Sequence, residues 1–164
     1  MIALLVAAFL TGCAFSPPDC ASGYERDGQG ECQSLVEEAE GNLEIAVNAE
    51  TAGIVLADDC LGDVVIEVDA ASIDGVLSCS FVGEIGATLD GEVFEGTISG
   101  MLDDAGVANG SLVLELGVFG VLESDWSGQR SEGQLEGSFV GTMNVEIGAL
   151  EAAVDYSGSF DAES

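Results

Sequence analysis

The sequence predicts an all-β domain, a single antiparallel barrel or strongly curved sheet of about eight strands. Three observations lead there. From Asn42 onward apolar and polar residues alternate with period two, as in Leu43, Ile45 and Val47 and again in Leu112, Leu114, Leu116 and Val118. Glycine is abundant, at 23 residues, and recurs beside large residues on one strand face. Phe94, Gly96, Ile98, Gly100 and Leu102 share a face, as do Leu135, Gly137, Phe139, Gly141 and Met143, and Tyr156, Gly158 and Phe160. A large residue next to glycine lets side chains interdigitate where a sheet curves tightly. Small barrels fill their interiors with such mixtures. The opposite face carries Glu92, Glu95, Glu136, Asn144 and Glu146, which suits water.

Taken in order, residues 14–19 read as a short tether, because Pro17-Pro18 cannot continue a helix. Residues 20–32 form a small loop closed by cysteines, with Asp27-Gly28-Gln29-Gly30-Glu31 as a tight turn. The Cys20, Gly23-Tyr24 and Cys32 spacing resembles the last part of an EGF-like module, without that module's other cysteines. Ser34 to Gly41 has capping-box spacing (Ser34, Glu37) and a terminal glycine, which predicts one or two helical turns. Strands follow near 42–49, 52–58, 63–70, 76–89, 92–102, 111–122, 133–147 and 150–161. Asp74-Gly75, Asp90-Gly91 and Asn109-Gly110 are hairpin turn signals. Ser80-Phe81-Val82-Gly83 recurs as Ser138-Phe139-Val140-Gly141, a short internal similarity. The expected division is residues 1–12, 13–41 and an all-β domain over 42–164.

The first of those segments is the most specific. An uncharged apolar run, Ile2 to Leu10, leads into Leu10-Thr11-Gly12-Cys13 and then a polar, Pro-containing stretch. It is too short to span a bilayer, which takes roughly 20 residues. Apolar core, small residues and a cut is the order of an export signal. These residues resemble a bacterial lipoprotein signal peptide with its lipobox. The resemblance implies that residues 1–12 are removed and that Cys13 becomes the mature N-terminus, its sulfur carrying diacylglycerol and its amine a further acyl chain such as palmitate. A single chain anchors only reversibly, so two or three make the attachment stable. Ala14 after the cysteine, rather than Asp, implies the outer membrane of a Gram-negative envelope. Residues 1–12 lack the basic stretch that opens an export signal, so the expectation is a start upstream of Met1, the other account being a weak signal or none.

With Cys13 assigned to lipid, Cys20, Cys32, Cys60 and Cys79 remain, and an even number in an exported chain implies disulfides. The two local pairings, Cys20–Cys32 and Cys60–Cys79, are expected. Zinc is not, since there is no His and no close Cys spacing.

Charge bounds the partners. The chain has 31 Asp plus Glu against two cationic side chains, Arg26 and Arg130, for a formal net charge of −29. Such a surface repels nucleic acid and anionic headgroups, leaving the lipid on Cys13 as the membrane contact. Spread along every strand and turn, the acids read as solvation. Weak Ca²⁺ binding at Asp58-Asp59 or Asp103-Asp104, both placed in loops, is the sharper alternative. Without His or Lys no Ser or Cys has an ordinary base, so neither enzyme activity nor a cofactor is expected. Ser124 to Gly133 stands apart as a loop holding the single Trp126 together with Arg130; it is a candidate recognition loop, or else Trp126 plugs a barrel mouth. The function expected is that of a lipid-anchored cell-envelope protein with a structural or interaction role, its partner an envelope protein. One rival is a calycin-like barrel binding a small apolar ligand, whose mark is an interior pocket of several hundred Å³ lined by Phe81, Phe94, Phe139 and Phe160. The other is a carboxylate-dyad enzyme, whose mark is a cleft with two converging acids.

Overall fold

The computed structural model describes residues 19–20, 24–51, 54–147 and 150–164. Residues 1–12, read above as an export signal, and Cys13 lie outside the described residues. A small hairpin, β1 (Tyr24–Arg26) and β2 (Cys32–Ser34), precedes eight strands: β3 (Val36–Thr51), β4 (Ile54–Asp69), β5 (Ser72–Phe81), β6 (Phe94–Leu102), β7 (Val107–Glu115), β8 (Val121–Ser131), β9 (Gln134–Ile147) and β10 (Leu150–Glu163). Each pairs antiparallel with the next, and β10 pairs with β3, so the meander closes into a barrel. Closure removes the free edges that an acidic, Gly-rich sheet would otherwise expose. One short helix, α1 (Glu84–Thr88), sits between β5 and β6.

The barrel interior is built from rows of paired residues. One row runs Gly100, Gly110, Trp126, Phe139, Gly158, Ile45, Cys60 across successive strands. Gly137 faces Phe160, Gly141 faces Tyr156 and Gly158 faces Phe139. A Cβ placed on Gly137, Gly141 or Gly158 would come within 2.3 Å of the facing aromatic side chain. Each aromatic therefore occupies the space its partner glycine vacates, which fills the middle of a narrow barrel. Trp126 lies over Gly100 and Gly110, donates its indole N–H to the Ser99 carbonyl at 3.1 Å, and meets Phe160 edge to face at 5.1 Å. The seam above it is closed differently. Ladder pairing of β8 with β9 begins at Trp126↔Phe139, and the Tyr156 hydroxyl crosses Gly141 to donate to the Glu123 carbonyl at 2.8 Å.

Several local expectations are overturned, each by a non-local contact. Asp74-Gly75 and Asn109-Gly110 are not turns but lie inside β5 and β7. Gly75 and Gly110 are needed there for close approach, since an added Cβ would meet Val65 O at 2.3 Å and Ser99 O at 1.9 Å. Asp90-Gly91 is a turn, with positive φ at both residues, but it belongs to the longer link that contains α1. Ser34 to Gly41 forms no helix. From Val36 it pairs with β4, starting at Val36↔Asp69, and Ala39 is buried in the core. Tertiary pairing outweighs the local capping signal. The strands expected at 52–58 and 63–70 are a single strand, β4, and the strand expected to run to residue 89 stops at Phe81. Consequently Ser80–Gly83 leaves the sheet while Ser138–Gly141 continues through β9, so the two similar segments play different parts.

Both disulfides form as paired in the sequence reading. Cys20–Cys32 has a Cα separation of 5.6 Å and Cys60–Cys79 of 5.5 Å, within the ordinary range. The second lies inside the barrel, joining β4 to β5. Non-reducing peptide mapping should recover both pairs, and reduction should lower stability by about 3 kcal/mol per bridge on the loop-entropy account. A scrambled or absent Cys60–Cys79 bridge in native protein would contradict the strand register.

Candidate functional site

The two ends of the barrel differ. At one end lie the tight connections at 70–71, 103–106 and 132–133, and the chain enters there from the β1–β2 hairpin into Val36. At the other lie the longer link with α1, the connection at 116–120, the end of β3 with the start of β4, and the end of β9 with the start of β10. The β3–β4 and β9–β10 hairpins part company beyond Ala49↔Val154, the last pair joining β3 to β10. Between them is a cavity of about 140 Å³. Val47, Ala49 and Leu56 line it from the β3–β4 hairpin, and Met143, Val145, Ala152 and Val154 from β9–β10. Phe81, Ile85 of α1, Leu116 and Phe119 complete the wall. Every lining side chain is apolar.

The expected wide pocket is not what these residues make. Of its four phenylalanines only Phe81 reaches the end cavity, while Phe94, Phe139 and Phe160 belong to the packed core. The glycine-for-ring exchange described above occupies the middle of the barrel.

Beside the cavity sits the one charged residue buried among the described residues. Asp58, 7% exposed, points inward from β4 in phase with Leu56 and Cys60. Its Oδ1 accepts the N–H of Asp59 at 2.8 Å and of Gly83 at 2.6 Å, and its Oδ2 accepts those of Ile85 at 2.8 Å and Gly86 at 3.2 Å. Burial by itself would raise its pKa, but the four backbone donors outweigh that and hold it below the ordinary carboxylate value. Gly83 is required at this spot, because a Cβ would come within 2.6 Å of Asp58 Oδ1. Asp58 thus fastens the start of α1, and with it Ile85, to the barrel wall. Sequence reading placed Asp58-Asp59 in a solvated loop, and that is corrected. The available signal was phase, an acid on the apolar face of an alternating strand. Both carboxylate oxygens of Asp58 are spent on main-chain N–H groups.

The other singled-out acids serve their own turns. Asp103 Oδ1 accepts the N–H of Ala105 at 2.9 Å and of Val107 at 2.8 Å. Asp27 accepts the N–H of Gln29 and Glu31 in the same way, and these backbone donors, Glu31 foremost, pull its pKa down. Among the described residues no group of three His, Cys, Asp or Glu converges as metal ligands.

The tract 124–133 is mostly strand rather than loop. Residues through Ser131 belong to β8, and Trp126 is buried at 3% exposure. Alternation turns Trp126 inward with Leu122, where the glycines of β6 and β7 make room for it. Arg130 forms an ion pair with Glu37 at the chain-entry end, far from the cavity along β8. The structure does not bring Trp126 and Arg130 together as one surface.

No family model matches this chain, and no curated protein matches it. Among solved structures it is similar to the ywiB protein from Bacillus subtilis, at 11% identity over 77% of this chain and 92% of that one, with a TM-score of 0.34. Likeness at that level assigns no function.

Proposed function

We propose that this chain is an exported, lipid-anchored cell-envelope protein whose barrel has a structural or interaction role. The observation that carries the role is the filled interior: a barrel whose middle is packed with reciprocal aromatics and glycines works through its ends and its surface. The anchor rests on the Leu10-Thr11-Gly12-Cys13 signal. Two disulfides agree with an oxidising compartment. The chain enters at the tight-turn end, so an anchor on Cys13 leaves the apolar end facing away from the membrane. An acidic surface keeps the body of the protein off anionic headgroups and in solution.

Mass spectrometry of the membrane fraction tests this. The mature N-terminus should be Cys13 carrying diacylglycerol, and Cys13→Ser should leave an unprocessed, unlipidated chain. A soluble mature protein with a free Cys13 thiol would refute the proposal.

A further inference from the structure

We infer that the end cavity is a binding site for one short hydrocarbon group, of about six carbons, carried by a neutral or cationic amphiphile. The inference stands apart from the anchoring and concerns a site with a ligand. Its volume, about 140 Å³, is close to that of an engineered dry cavity of about 150 Å³ that takes benzene. No lining side chain can hydrogen-bond, so any polar head must remain outside the wall. What waits outside is negative. Exposed Glu50, Glu84 and Glu151 are the chain neighbours of the lining residues Ala49, Ile85 and Ala152. Asp58 adds a further negative charge behind Leu56. The cationic side chains are Arg26 and Arg130, both toward the chain-entry end, with Arg130 paired to Glu37. A carboxylate or phosphate head would therefore meet like charge, whereas an ammonium or hydroxyl head would not.

The cavity's size makes a sharp expectation. Each methylene that enters should tighten binding about fourfold, and the gain should stop once the cavity is full. Adsorption to an apolar surface has no such limit.

The test titrates the full chain, as isolated from its host, with n-butanol, n-hexanol, n-octanol, hexylammonium and hexanoate at fixed ionic strength near neutral pH. Calorimetry gives affinities and the Met143 methyl resonance reports the site. Affinity should rise from butanol to hexanol and level off by octanol. Hexylammonium should bind at least as well as hexanol, and hexanoate at least about fivefold less well. Ala152→Phe should fill the cavity and abolish hexanol binding. Met143→Ala should enlarge it and move the plateau to longer chains, which keeps the test decisive if Ala152→Phe does not fold. Absence of hexanol binding, affinity still climbing through octanol, equal binding of hexanoate and hexanol, or binding indifferent to Met143→Ala would each overturn the inference.

Discussion

Phe139→Asp should unfold the barrel under conditions in which Val140→Asp leaves it folded. The two residues are neighbours on β9 but face opposite ways, Phe139 being 5% exposed and Val140 76% exposed. Phe139 fills the space over Gly158 and pairs across the β8–β9 ladder with Trp126. Removing a buried Phe side chain costs about 3–5 kcal/mol before any charge is considered. An unpaired carboxylate in the same place adds a desolvation cost, and the sum takes most of the roughly 5–15 kcal/mol that holds a domain together. At Val140 the added charge stands in water and should cost less than about 1 kcal/mol. Urea or thermal melts of both variants decide the matter. Comparable loss at the two sites would reverse the inside and outside of β9.

The second large effect is expected at Asp58. Asp58→Ala should cost about 3 kcal/mol or more, because three amides of the α1 segment lose a charged acceptor in a place water reaches poorly. The damage should be local first. Hydrogen exchange at the Gly83, Ile85 and Gly86 amides should accelerate well before the strands open, since the Cys60–Cys79 bridge holds β4 to β5 just beside them. The pH dependence follows from the sign of the shift. Asp58's pKa is depressed in the folded state, so its contribution is complete above the unfolded carboxylate value near 4 and is lost as pH falls through the lower folded value. Asp58→Asn should therefore flatten the acid limb of the stability curve. An unchanged acid limb, or unchanged exchange in Asp58→Ala, would mean that the carboxylate does not hold α1.

How far these sites could be read in advance varies by residue. The inward face of β9 and β10 was legible, because period-two alternation places Leu135, Gly137, Phe139 and Gly141 together whatever the strand pairs with. The cysteine pairing was legible too, from number and proximity in the chain. Asp58 was not, since an Asp-Asp pair has the composition of a turn, and the donors that satisfy it lie some 25 residues away. Trp126 was misplaced for a related reason. Its polar neighbours Ser124, Asp125, Ser127 and Gln129 read as loop, yet they lie within β8, whose inward position at Trp126 opens only because Gly100 and Gly110 approach from other strands.

By itself the sequence determined what local periodicity and covalent chemistry dictate: an all-β chain, glycines interleaved with aromatics on one face, cysteines paired in even number, and a strongly acidic composition. Tertiary structure alone decided where strands begin and end, because a glycine serves equally for a turn and for close backbone approach, and only the neighbouring strand distinguishes the two. It alone decided that the middle of the barrel is full and one end is not. Cavity volume depends on register between strands far apart in the chain, and no local pattern carries that information.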